Sequence, residues 1–320
     1  MKWIVAILVL GAVGYGAAKA YLHHNVGNGV DNAVIMMSPY VQVEYEGISS
    51  TLAGELTMDG VRARIAGLHD EIYIEKIGIV TSSFLSLMEL GDMASKRGSS
   101  SPDLPDSFGF LVSGVHIPSN SDVYRKVYEM RLEALGVDDH ELPAASCVGK
   151  YGFSPSALAG LGYREQVISA AATFHNNKDS FSMEINTSTA DMWDMRMNIV
   201  MDGDMRTELS KGTAYRPALR NFKLQFTDLG LNQRIEKYCA EQGMSTEETT
   251  QAQLEALTWF GESNGIVFDE YMIDPYLEFF NGKSTIVITA APREPLRVSQ
   301  IGLYNPKDVP ALLNLSATTL

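Results

Sequence analysis

Basic residues are scarce in this chain: 25 Lys and Arg stand against 39 Asp and Glu, giving a formal charge of −14 over 320 residues. Two of the 25 fall within residues 1–20, which hold no acid, so the remainder is more negative still. An acidic surface repels a phosphate backbone, and no Lys/Arg cluster interrupts the balance. Nucleic acid is therefore excluded as a partner, and lying flat on anionic headgroups is disfavoured. Cysteine is nearly absent. Cys147 and Cys239 are too few and too far apart for a zinc site. Also missing are G-x-S-x-G, a phosphate-cradling Gly-rich loop, H-E-x-x-H and C-x-x-C. Nothing local assembles a nucleophile, a base and an oxyanion site, so the chain is read as non-enzymatic, with no metal and no cofactor. A hydrolase built from scattered acids and from His116, His140 or His175 stays open as an alternative.

The N-terminus carries a specific signal. Met1-Lys2 precedes an apolar run from Trp3 to Ala18, followed by Lys19. A short positive region before an apolar core has the form of an export signal, and Ala18-Lys19-Ala20 offers a cleavage site. Extended through Leu22, the run reaches the ~20 residues that a bilayer needs. Trp3 and Tyr21 then fall at the two interfaces as aromatic anchors. An uncleaved single-pass anchor and a cleaved signal both remain open, and either one exports the bulk of the chain. This divides the sequence into an anchor at 1–22, a juxtamembrane helical segment at 23–38 and a β-rich domain at 39–320, with a subdivision near 138–154 as an option. An even cysteine count in an oxidising compartment suggests a Cys147–Cys239 bridge, with two free thiols as the other reading.

What the chain has in abundance is alternation. Between Tyr163 and Asp202, three runs alternate with period two and are separated by polar turns, the pattern of a half-buried antiparallel meander. Phe174, Phe181, Met183, Trp193, Met195, Met197 and Met201 fall on one face, soft and rich in sulfur and aromatic rings. Two readings of that face stand: ordinary core covered by helices of residues 229–280, or a partly open groove for acyl chains or a greasy partner helix.

Elsewhere, strands are expected at Tyr40 to Glu46, Glu71 to Val80, Phe108 to Ile117, Asn221 to Thr227 and Ser284 to Ala290. A hairpin is expected around Asp59-Gly60, a strong two-residue turn signal. Ile72 and Ile74 change alternation to Ile77 and Ile79 across Glu75-Lys76, which suggests a bulge. Helices are expected over Phe84 to Met93, over Ser121 to Leu135 with Val123, Val127, Leu132 and Leu135 inward, and from Ser154-Pro155. Further helices fall at Met205 to Lys211, Leu229 to Gln242, Ser245 to Phe260 with a Ser245/Glu248 capping box, Phe268 to Phe280 and Pro306 to Leu313. The loose recurrence of strands and short helices gives an α+β fold, one long bent antiparallel sheet with helices along it. Asp138-Asp139-His140-Glu141 is read as a solvated acidic loop, and Asp191, Asp194, Asp202 and Asp204 as solvated strand ends without Ca²⁺-loop spacing.

Several passages resemble AsmA-like or YdgA-like envelope proteins of Gram-negative bacteria. The run Ile48 to Val61 is similar to their early strand pair, Phe226 to Arg234 to a strand-to-helix step, and Asn281 to Leu315, with Pro292, Pro295, Pro306 and Pro310, to their C-terminal end. The chain is far shorter than the large bridge-forming members, and no catalytic residues carry over. The resemblance implies a curved, taco-like sheet facing the periplasm, and roles in envelope maintenance or lipid movement. The resulting expectation is an inner-membrane-anchored periplasmic protein that binds lipid or another hydrophobic envelope component, the alternative being a scaffold for an envelope protein complex.

Overall fold

In the computed structural model, which describes residues 38–88, 105–137, 147–177, 179–203, 218–268 and 270–320, the strands form one open antiparallel sheet. They are β1 (Val41–Glu44), β2 (Gly47–Ser50), β3 (Glu55–Ile65), β4 (Glu71–Thr81), β5 (Ser107–Pro118), β6 (Glu165–Asn176), β7 (Ser180–Thr189), β8 (Trp193–Asp202), β9 (Ala218–Asp228), β10 (Thr285–Ala290), β11 (Leu296–Arg297) and β12 (Leu315–Thr319). Their spatial order is β1-β3-β4-β5-β6-β7-β8-β9-β10-β12, with β2 also on β3 and β11 also on β9. The helices are α1 (Asp122–Leu135), α2 (Pro155–Gly160), α3 (Leu231–Glu241), α4 (Thr246–Ser263), α5 (Glu270–Phe280), α6 (Val298–Ile301) and α7 (Val309–Leu313). The fold is α+β. The anchor at 1–22 with Trp3 and Tyr21, the segment 23–37, the acidic run 138–141 and the expected helix 205–211 lie outside the described residues.

Pairing register turns local alternation into one continuous apolar face. Leu56, Ile79, Phe110, Ala172, Ile185 and Met197 stand side by side from β3 to β8, and the row continues through Leu224 to Ile288. A neighbouring row runs from Met58 through Ile77, Val112 and Ala170 to Met195 and Phe226. The opposite face carries Glu184, Asn198 and Lys223 in one row and Asn186, Arg196 and Gln225 in another.

The expected hairpin at Asp59-Gly60 is absent, because β3 runs straight through both residues. Asp59 pairs with Lys76 on one side and Gly47 on the other, and Val61 pairs with Ile74, without a register shift. Gly60 has φ +60, and a Cβ there would collide with the Glu46 side chain. The same irregularity recurs in phase along one row across the strands. Glu46 lies opposite Gly60, Gly60 opposite Glu75, and Glu75 opposite Gly114, which has φ +61 and whose missing Cβ leaves room for the Glu75 side chain. Against β6 the row ends as a true bulge, where Ser113 and Gly114 oppose Ser169 alone. There the Gly114 N–H donates to Ser169 Oγ at 3.1 Å. The bulge inferred at Glu75-Lys76 is thus one station of a shared kink. Glu75 reaches His116 and Lys76 reaches Asp59, so two consecutive side chains share the polar face.

Helix α1 buries a different stripe from the one expected. Val123 and Leu132 are buried, but Val127 and Leu135 are exposed. The packed side is set by Tyr124, Tyr128 and Leu132 at four-residue spacing, which puts Val127 and Leu135 to one side of it. Tyr124 Oη donates to the Phe153 carbonyl at 2.7 Å, and burial pushes its hydroxyl pKa up to about 12. The capping box of α4 forms as expected, with Ser245 Oγ accepting from Glu248 N–H and the Glu248 carboxylate accepting from Ser245 N–H.

Helices α4, α5 and α7 cover the far end of the apolar face. Met272, Tyr276 and Phe279 of α5 pack on Phe226, Ile286 and Ala317, while Val309 and Leu313 of α7 pack with Leu219 and Ala290. Strand β12 was not expected from sequence. It closes this end by pairing Leu315 with Ala290 and Ala317 with Ile288.

Two predictions follow from this architecture. Gly114→Ala should destabilise the fold by about 1–3 kcal/mol in urea unfolding, since a side chain at this φ is strained. A Glu75→Ala background should relieve the overlap but leave the backbone cost. Separately, burial pushes the Tyr276 pKa from 10.0 up to about 12. The folded state then holds that proton more tightly than the unfolded one, so this contribution is complete below pH 10 and lost as pH rises through about 12. It amounts to at most roughly 2–3 kcal/mol. Tyr276→Phe should therefore lose less stability than the parent between pH 10 and 12.

Candidate functional site: the apolar face of the sheet

Each strand places its side chains on the shared face by parity alone, so the site is a surface with no single centre. None of the three buried clusters includes a residue of β1–β7. From β1 to β7 the apolar residues are mostly half-buried, with Val61 and Phe181 buried, and a short described helical stretch at 84–88 follows β4 with Leu87 buried. This separates the two readings by position. The β8–β12 end is helix-covered core, whereas the β3–β7 stretch contributes nothing to the three buried clusters.

The seven meander residues divide along that line. Phe181 is buried at 5% exposure, while Phe174, Met183, Met195, Met197 and Met201 are half-buried. Trp193 joins the covered end. It packs against the cluster around the two cysteines and stacks on Phe226 at 5.9 Å, and Phe226 in turn meets the Phe279 ring edge-on.

Residues that sequence reasoning left out of the site extend it. Register sets Phe108 opposite Phe174, with rings stacked at 4.9 Å, and Phe174 stacks on Phe181 at 5.9 Å. Phe110 meets Phe108 and Phe174 edge-on while remaining 49% exposed. Ile74, Ile77 and Ile79 continue the surface on β4. Alternation in β4 and β5 signalled a buried face, but only pairing shows that it is the same face as the meander's. One polar atom interrupts it: Thr187 Oγ1, between Ala170 and Met195, is buried without a hydrogen-bond partner.

The polar face holds the most organised titratable cluster. His116 Nε2 lies 3.4 Å from Glu75 and Nδ1 lies 3.3 Å from Glu165, with the Tyr73 ring 5.4 Å away. Each ring nitrogen thus faces a carboxylate from a neighbouring strand. His175 sits one row beyond the Phe174 position on β6, opposite Ser107 and Ser182, and His140 lies outside the described residues. Among the described residues, no group of three His, Cys, Asp or Glu side chains is placed to hold a metal. No described helix is long and apolar enough to cross a membrane.

Cys147 and Cys239 are bonded, with Cα atoms 5.4 Å apart and 92 residues between them in sequence. The bridge ties the segment before α2 to α3 and lies in the cluster of Leu158, Leu161, Tyr163, Met192 and Ile235. Arg234 stacks over the Tyr163 ring at 4.4 Å and donates to the Leu161 carbonyl, while Tyr163 Oη donates to the Asp191 carbonyl at 2.8 Å. Burial pushes the Tyr163 hydroxyl pKa up against the opposing pull of Arg234. The disulfide therefore fastens the end of the meander to the helical cover.

A family model whose description reads "Uncharacterized protein" matches residues 166–319, just under half of the chain. The match begins in β6 and ends in β12, taking in the meander and its helical cover. No curated protein matches the chain.

Removing the disulfide, by reduction or by Cys147→Ser with Cys239→Ser, should cost about 2–5 kcal/mol of stability. Urea unfolding with and without reductant measures it. An unchanged midpoint would mean that the cluster around Tyr163 holds without the bridge.

Proposed function

We propose that this chain is an exported envelope protein, held at the inner membrane by residues 1–22, whose sheet binds lipid acyl chains on its apolar face. The observation that carries the reading is the apolar surface of β3–β8, continuous in register and mostly half-buried, whose β3–β7 part stays outside the three buried clusters. Contiguous apolar surface of this kind marks a binding site in soluble proteins. Met195, Met197 and Met183 suit chains of varied shape, because an unbranched thioether repacks at little cost. The kink shared by β3, β4 and β5, which ends as a bulge against β6, supports a curved, taco-like sheet, since bulges bend strands. The export signal and the resemblance to AsmA-like proteins support the periplasmic side.

A second reading rests on the open ends of the sheet. β1 with β2 at one end, and β12 at the other, each pair on one side only among the described residues. An envelope partner adding a strand there would make the chain a scaffold.

Photo-crosslinking separates the two. A phospholipid with a photoreactive acyl chain, incubated with the full-length chain in detergent, should label β5–β8 residues such as Phe110, Met183 and Met197. Met195→Asp with Met197→Asp should cut that labelling by about tenfold, equivalent to about 1.4 kcal/mol. That is no more than the roughly 1.5–3 kcal/mol carried by burying one such side chain. Labelling confined to residues 1–22 would sink lipid binding by the sheet and favour the scaffold.

A further inference from the structure

The turn between α3 and α4 is fixed from both sides, and it carries a methionine onto the disulfide. Gly243 ends α3 at φ +88, a left-handed conformation that glycine adopts without strain. Its N–H donates to the Ala240 carbonyl at 3.0 Å, and the Met244 N–H donates to the Cys239 carbonyl at 3.1 Å. That pair of bonds is a Schellman ending, which brings the side chain after the glycine back against the last turn of the helix. Here the two side chains that meet are Met244 and Cys239. One residue further on, Ser245 opens α4 through its capping box, so the turn has little freedom on either side.

The thioether forms part of the cover over the bridge. Met244 Sδ lies 3.3 Å from Cys147 Sγ, and Met244 packs against the cluster that holds both cysteines. Cys147 is 3% exposed and Cys239 is 0% exposed. A thiolate must reach a disulfide sulfur to exchange with it, so access limits the rate. Met244 itself is only half-buried. It touches the bridge on one side and meets solvent on the other.

We propose that Met244 is an oxidation site that guards the Cys147–Cys239 bridge. Hydrogen peroxide transfers one oxygen atom to Sδ: the S–O bond forms, the O–O bond breaks, and the second oxygen leaves as water. The thioether loses two electrons and becomes a polar sulfoxide, ill matched to a cluster of Leu158, Leu161 and Ile235. As it moves out, Cys147 Sγ is uncovered. A thiolate then attacks Cys147 Sγ, and Cys239 leaves as a thiolate that takes a proton from solvent. A second thiolate displaces Cys147 and carries the first away as a small disulfide. The bridge ties the segment before α2 to α3, so its opening unfastens the border between the meander and its helical cover. Nothing here depends on lipid binding by the sheet.

The test treats the full-length chain in detergent with limited hydrogen peroxide and locates sulfoxide by peptide mass mapping. Reduction of the bridge by dithiothreitol is then followed by alkylation and intact mass. Peroxide should speed that reduction at least about tenfold, about 1.4 kcal/mol off the barrier, in the fraction of chains oxidised at Met244. Met244→Leu keeps the cover and takes up no oxygen there, so it should reduce slowly before and after peroxide. Its remaining methionines control for oxidation elsewhere. Met244→Ala should reduce fast without peroxide, and if that variant fails to fold, the leucine comparison decides. Three results overturn the proposal: equal acceleration of the parent and Met244→Leu, Met244 left reduced at peroxide levels that oxidise other methionines, or an acceleration matched by the global unfolding rate.

Discussion

Parity governs this protein. A strand has two faces, and one extra residue in it exchanges them for the rest of its length. Were the irregularity at Gly60 confined to β3, Asp59 or Arg62 would turn toward the apolar surface that Met58 and Val61 share. The fold avoids this by repeating the irregularity in phase. Glu46, Gly60, Glu75 and Gly114 stand in one row, and the offset is discharged once, against Ser169 of β6. Two of those four positions are glycines at positive φ, and each carries the side chain of a neighbouring glutamate over it. The continuity of the apolar face from β3 to β8 depends on that row.

The helices complete only part of what parity creates. Cover over β8–β12 is built by α4, α5 and α7, with the Cys147–Cys239 bridge and the stacked Tyr163 and Arg234 fixing its border at Trp193. Rigid cover at one end and half-exposed Met, Ile and Phe at the other make a surface with a defined wall. An occupant of that surface would gain hydrophobic contact while the sheet beneath it stayed ordered through its own strand pairing.

Much of this was legible from residues alone. Alternation located the strands of the meander, Ser245 with Glu248 located the start of α4, and the paired cysteines were bonded as their even count suggested. The hairpin error is instructive because the local evidence was ambiguous in principle. In a two-residue hairpin at Asp59-Gly60, Met58 and Val61 would face the same way. They do so equally in a strand kinked there, and Gly60 takes a left-handed φ in both. What separates the cases is distant: the same change of parity at Glu75-Lys76 and at Ser113-Gly114, which a turn at one site does not require. Strand β12 escaped notice for another reason. Leu315-Ser316-Ala317-Thr318-Thr319 alternates, but with small side chains whose apolar face becomes apparent only against Ile288 and Ala290. Val127 and Leu135 misled because α1 packs through its tyrosines, whose rings bury more surface than the aliphatic positions beside them.

A cavity lined by Gln253 lay beyond any such reading, for a geometric reason. Its walls come from a helix start, the second turn of another helix and a helix exit, separated by up to about fifty residues and carrying no periodic mark. On α4 itself, Gln253 is one polar residue among many in Thr-Glu-Glu-Thr-Thr-Gln-Ala-Gln, and nothing local distinguishes it from the exposed Gln251 two residues earlier. Burial separates them. Gln251 donates to Glu255 on the helix surface, an exchange that water would serve as well, whereas Gln253 is buried by the packing around it.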